Sequence, residues 1–284
     1  MTADIAFQAL GYGSVLYLIS VGLSVTLGLM GFINLAHGIF AMIGGYLAAV
    51  AVAGWGVPWP AMLVLAPLAT AALAAVLERT LFARLYGRSE LDQVLFCIGV
   101  VFIAGALIRL GFGPTLQPMP LPPALRETVQ VAGMGFYAYK LLVIGVGVAT
   151  ALALLFGLER TRAGAIIRAA VENRGMAESV GLRTGPIFTA TFALGGALGA
   201  LGGILGADVF GLNPAYALDV LVYIQIVVAI AGLGTLRGSF LAALLIGVIQ
   251  TLSAYYVPEM GTILLFSVVF LLLLLRPRGL FGRV

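Results

Sequence analysis

Nine stretches of nearly unbroken apolar residues, at roughly 8–27, 30–53, 58–77, 94–112, 138–157, 187–207, 220–235, 239–256 and 260–275, leave little of the chain outside them. A helix that crosses a bilayer needs about 20 mostly apolar residues, and most of these segments reach that length. The seventh and ninth are short for a full crossing and the second is long and rich in glycine, so the pattern predicts about eight to ten spans. Only 9% of the 284 residues are charged, against about 25% in soluble domains. So few charges cannot cover a water-facing surface, and most of the outer surface must meet lipid. Backbone polar groups in lipid have to be bonded within the segment, which favours helices. The expectation is an all-α, polytopic transmembrane helical bundle in which residues 1–284 form a single domain.

Basic residues orient the stack, because cytoplasmic loops of membrane proteins carry an excess of Lys and Arg. With nine alternating spans, Arg79, Arg84, Arg88, Arg160, Arg162, Arg168, Arg174, Arg183, Arg237, Arg276, Arg278 and Arg283 fall on one side, twelve of the fifteen basic residues. Arg109, Arg126 and Lys140 fall on the other. The basic side is expected to be cytoplasmic, with the N-terminus outside and the C-terminus inside. The net charge of +4 is then loop charge rather than a nucleic-acid surface, and no nucleic acid is expected as a partner. Met1 to Gln8 contains Asp4 and no Lys or Arg, so it lacks the basic start of a cleavable signal. A lone cysteine, Cys97, excludes an intramolecular disulfide and a Cys-based metal cluster.

The connections differ in kind. Residues 113–137 hold Pro114, Pro118, Pro120, Pro122 and Pro123 with little helical periodicity, which predicts an extracytoplasmic loop stiffened by its prolines. Residues 158–186 lie wholly on the basic side and concentrate five arginines. Within them, 165–180 has helical composition, and Ile167, Ala170, Val171 and Arg174 recur at i, i+3, i+4 and i+7, the spacing of an amphipathic helix. Gly181 is placed to cap it, and Pro186 marks the turn into the next span. Composition leaves two readings open: a helix lying on the lipid surface, or one presenting an apolar stripe to a partner's groove.

This segment resembles the cytoplasmic coupling loop of bacterial ATP-binding cassette importer permeases. The matching pieces are Arg160-Thr-Arg-Ala-Gly164, Ile167-Arg-Ala-Ala170, Glu172-Asn173 and Ala177-x-x-x-Gly181. Together with Gly31-Phe-Ile-Asn-Leu-Ala-His-Gly38 and Gly232-x-Gly-Thr-x-x-Gly238, they are similar to the branched-chain amino acid permeases, and more to the LivH-like than to the longer LivM-like half of the permease pair. The glutamate of the general importer motif is not in register, so its role is not carried over. The resemblance implies that Ile167, Arg168, Ala170, Val171, Arg174, Ala177 and Gly181 couple the chain to an ATP-binding subunit. It also implies an assembly in a bacterial inner membrane, in contact with lipid. That assembly comprises this chain paired with a LivM-like subunit or with itself, two cytoplasmic ATP-binding subunits, and a periplasmic solute-binding protein. No Gly-x-x-x-x-Gly-Lys-[Ser/Thr] phosphate loop is present, and the only lysine is Lys140. ATP is thus expected to be used by partner chains, with no cofactor bound here.

Asn34 and His37, the only histidine, stand between two apolar runs and beside Gly38. Polar side chains in lipid usually face the bundle interior or a wet cavity. At i and i+3 the two share a face if the segment is helical, and they either clip a broken helix together or touch the translocation path. One histidine with no nearby Cys or acid cannot supply a zinc site, and no metal is expected. Asp208 and Asp219 flank Asn213-Pro-Ala-Tyr216 on the outer side and are candidates for docking a binding protein. No covalent chemistry is expected. Related permeases for urea, short amides or sugars remain alternatives for the substrate. An ion-coupled secondary transporter is the rival class, and it calls for ionisable groups near mid-membrane, where this sequence is poor in them.

Overall fold

The computed structural model describes residues 2–30, 32, 34–131, 134–172, 174–232 and 235–282, with backbone alone for Thr2, Ala3, Val131, Met134, Glu159, Ala163, Val171, Glu172, Arg174 and Gly175. Arg283, counted above among the cytoplasmic residues, lies outside them. The helices are α1 (Thr2–Met30), α2 (His37–Trp55), α3 (Trp59–Thr80), α4 (Glu90–Phe112), α5 (Pro123–Arg126), α6 (Ala138–Glu159), α7 (Arg162–Glu172), α8 (Arg174–Ser179), α9 (Thr184–Phe210), α10 (Tyr216–Ala231), α11 (Leu236–Tyr256) and α12 (Gly261–Leu275). Eight are long and apolar enough to cross a membrane, α12 counting from Pro258, and α10 is a ninth, shorter apolar helix. The chain is therefore an all-α, polytopic helical bundle, with one helix for each apolar segment.

One element departs from the sequence reading and another adds to it. The segment 30–53 is not continuous helix, because α2 begins only at His37. The proline-rich connection holds the one-turn α5 and an antiparallel hairpin, β1 (Thr128–Val131) with β2 (Met134–Tyr137), in which Thr128 faces Tyr137 and Val129 faces Phe136. Thr128-Val-Gln-Val131 is rich in β-branched residues, which suit a pleated strand. The Gln117 amide donates to the Leu212 carbonyl at 2.8 Å, pinning this connection to the α9–α10 turn.

Helices α1 and α9 form the centre. The apolar surface of α1 is distributed around its whole circumference, as in a helix buried on every side. Leu18, Ile19 and Leu23 pack into a cluster shared with α2, α3, α9 and α10, while Leu16, Tyr17, Val21 and Val25 pack into a second cluster shared with α6, α10, α11 and α12. Glycines let the two central backbones touch: a Cβ on Gly202 of α9 would sit 2.5 Å from the Ile19 nitrogen of α1. Helices α4 and α12 lie at the periphery, with Leu110 84% and Leu275 79% exposed, a surface suited to lipid. The tail folds back on the bundle, and the Leu280 and Phe281 amides donate to the last carbonyls of α10, at Ile230 (2.7 Å) and Ala231 (3.2 Å).

Candidate functional site

Asn34 and His37 sit where the chain leaves α1 and enters α2, and both are fully buried. They do not share a helix face, because Asn34 precedes the helix that His37 begins. The Asn34 Oδ1 accepts from the Ala36 amide at 3.1 Å, and its carbonyl accepts from the His37 amide at 3.2 Å. This is a side-chain turn that stands in for a backbone turn. The Cys97 thiol of α4 donates weakly to the same Oδ1 at 3.8 Å. The His37 imidazole is wedged between α1 and α9. A Cβ on Gly22 would lie 2.6 Å from its Cε1 and 2.8 Å from its Nε2, and one on Gly199 would lie 3.1 Å from Nε2. Neither ring nitrogen closes a hydrogen bond of ordinary geometry among the described residues, and the Ile19 backbone is the polar group brought near. The Asn34 Nδ2 is likewise buried without a partner. Gly38, one residue on, lets the first turn of α2 approach the Ala217 carbonyl of α10.

The amphipathic segment is two helices, α7 and α8, rather than one, and Asn173 between them lies outside the described residues. The stripe read from the periodicity turns inward. Ala170 and Ala177 are buried, and Ile167 is half-buried against the second core cluster. The reason is that small and apolar residues on this face also let α7 and α8 lie close to the bundle. The apolar side chains left at the surface are Ile166, Met176 and Val180, 43%, 64% and 70% exposed. Arg168 is exposed along its length but its guanidinium donates to the Leu158 carbonyl, tying α7 to the end of α6. Val171 and Arg174 have side chains outside the described residues. Gly181 follows α8 with φ +88°, and the Leu182 amide reaches back to the Ala177 carbonyl at 3.0 Å. That is a left-handed helix end, a conformation glycine takes at no steric cost.

A carboxylate that the sequence reading did not single out is held between α3 and α9. Glu78, in the last turn of α3, is buried and accepts from the Tyr86 hydroxyl (2.7 Å, Oε1) and the Thr189 hydroxyl of α9 (2.7 Å, Oε2). Arg79 Nε donates to the same Thr189 oxygen at 3.4 Å. Glu78 stands in sequence among the charges at the end of an apolar segment, and its partner on α9 is 111 residues away, so no local signal marks the pair. Asp208 and Asp219 part company. Asp219 accepts from the Asn213 amide at 3.3 Å within its own turn. Asp208 instead lines a cavity with Asp4, Lys140 and Gln250 at the end of the bundle that carries the start of α1. Among the described residues, no group of His, Cys, Asp and Glu could hold a metal ion.

These features belong to a helical membrane protein with a polar break, a docked surface helix pair and a charged cavity, and comparison with known proteins supplies the family. The model of the family described as branched-chain amino acid transport system / permease component matches residues 5–275. The chain belongs to that family. It is similar to the high-affinity branched-chain amino acid transport system permease protein BraD of Pseudomonas aeruginosa, 28% identical over 97% of this chain and 94% of the relative. The corresponding proteins LivH of Salmonella typhimurium and of Escherichia coli are each 26% identical, over 98% of this chain and 94% of theirs. No solved structure matches significantly. Membership makes the chain a multi-pass membrane component of a transport system.

Proposed function

We propose that this chain is the membrane-spanning subunit of an ATP-binding cassette importer and forms the translocation path for branched-chain or related amino acids delivered by a periplasmic binding protein. The observation that carries the reading is the permease family match along nearly the whole chain. The sequence agrees with a part that lacks its own motor, because no phosphate loop is present. In this reading the chain pairs with a LivM-like subunit or a second copy of itself in a bacterial inner membrane, with its N-terminus outside. Two ATP-binding subunits dock on the side where α7 and α8 lie. The exposed Ile166, Met176 and Val180 offer an apolar surface to a groove there, and Arg168 and Gly181 set the pose of the helices that carry it.

Affinity purification of the tagged chain from its own membrane tests the proposal. Reconstituted into proteoliposomes with its co-purified partners and the cognate binding protein, it is expected to take up radiolabelled leucine only when ATP is supplied. Uptake that follows an imposed proton or sodium gradient, with no ATPase recovered, would overturn it.

A further inference from the structure

We infer that the cavity at the start of α1 is a binding site for the zwitterion of a free α-amino acid, which receives the carboxylate at the α6 end and the ammonium at the α9 end. The inference rests on the amino-acid transport reading for the identity of the ligand, but the site itself is built from residues that reading does not assign.

The cavity has a volume of about 590 Å³ and lies among the ends of α1, α6, α9 and α11. That is within the range of roughly 300–1,000 Å³ usual for small-molecule sites. Opposite charges stand on opposite helix ends. Lys140 is in the first turn of α6, where the positive end of the helix dipole adds to its own charge. Asp208 is in the last turn of α9, where the negative end adds to its carboxylate. Asp4, in the first turn of α1, faces the same space, but there the dipole offsets its charge. Both carboxylates act electrostatically on Lys140. The lysine is held in place: its stem lies along α1 at Gly11, where a Cβ would be 3.6 Å from Cγ and Cδ, and its ammonium donates to the Gln8 Oε1. An ammonium has three donors, so donors remain for a ligand carboxylate.

A further polar atom calls for a partner. The Gln250 Oε1 of α11 is buried and accepts no hydrogen bond among the described residues, and Gln250 lines the cavity. A buried acceptor left unpaired carries a full desolvation penalty, and a ligand ammonium is a donor that relieves it. Between the charged ends, Val15, Val143 and Val209 supply aliphatic walls, which suit a branched apolar side chain. A ligand with one charge would engage only one of the two ends, whereas a zwitterion meets both. The chemistry therefore selects a molecule that carries both.

The full transporter in nanodiscs, with Ala254→Cys as a reporter inside the cavity, tests this. Cys97 is buried and stays silent to an impermeant thiol reagent. Leucine is expected to slow labelling. Leucinamide, which lacks the carboxylate, and 4-methylpentanoate, which lacks the amine, should each protect at least about tenfold more weakly, the loss of one hydrogen bond to a charged group. Lys140→Met and Asp208→Asn should each raise the half-protecting leucine concentration by about the same factor. If one variant fails to assemble, the other and the wild-type analogue series still decide. Equal protection by all three ligands, or none by leucine while ATP-driven leucine uptake persists, would overturn the site and leave the transport reading standing. Uptake of a solute that is not an amino acid, in place of leucine, would overturn the transport reading itself. Labelling already blocked without leucine in phosphatidylethanolamine nanodiscs, but not in phosphatidylglycerol ones, would assign the cavity to a lipid headgroup and overturn the amino-acid site.

Discussion

Substituting alanine for Gly22 would drive a methyl group into the one imidazole of the chain. The new Cβ would lie 2.6 Å from Cε1 and 2.8 Å from Nε2 of His37, and against the carbonyl of Gly195. Carbon atoms settle at about 3.5–4.0 Å, so the ring would have to retreat by about 1 Å. Room for that is short, because α9 also approaches the ring at Gly199, where a Cβ would be 3.1 Å from Nε2. Overpacking of this kind costs about 1–3 kcal/mol, and alanine recovers up to about 1 kcal/mol of helix propensity. A net loss of about 1–2 kcal/mol corresponds to a fall of about 2–8 °C, scaled from soluble domains of 150–250 residues. Fluorescence-detected size exclusion after heating would read it on the solubilised chain. In a His37→Ala background the ring is gone while the Gly195 carbonyl, 2.4 Å from the new Cβ, still obstructs, so the Gly22→Ala penalty should shrink by up to about half. The two substitutions should thus show a coupling of about 1 kcal/mol. A Gly22→Ala chain as stable as the wild type, or strictly additive effects, would refute the wedge.

The buried Glu78 should show a graded response in the same assay: Glu78→Ala, which removes the acceptor shared by the Tyr86 and Thr189 hydroxyls, loses about 2–3 kcal/mol, while Glu78→Gln keeps the shape and loses about half as much. Gly181→Val forces a β-branched residue to φ +88° at a cost of about 1–2 kcal/mol. It should speed amide exchange over residues 176–182 without lowering the melting temperature of the bundle, and unchanged exchange would count against it. Leu280→Pro removes the amide that the Ile230 carbonyl accepts from. It should destabilise the chain by about 1 kcal/mol more than Leu280→Ala, and equal effects would show that the bond contributes nothing.

The spans were legible because lipid leaves the backbone almost no alternative, so apolar length alone announces a helix. The capping role of Gly181 was legible for a similar reason, since few residues tolerate a left-handed turn. Other features were hidden by what periodicity omits. A stripe at Ile167 and Ala170 says that one face is apolar, but not whether this chain or another covers it, and here the bundle takes it. The spacing of Asn34 and His37 suggested a shared face only if helix ran through both. The helix starts at His37 because the Asn34 side chain makes the turn before it. Glu78 and Thr189, or the ends of four helices around Lys140 and Asp208, come together only through long-range packing that leaves no trace in local sequence.

The return of the tail to α10 sets an order of events during synthesis. Leu280 and Phe281 follow Ile230 and Ala231, whose carbonyls they bond, by fifty residues each. An unbonded carbonyl in hydrocarbon costs several kcal/mol. The end of α10 therefore lacks this cap while α11 and α12 are still being made, and waits in a wetter setting until the tail arrives. Capping of α10 is therefore a late event, completed only after α11 and α12 have been made.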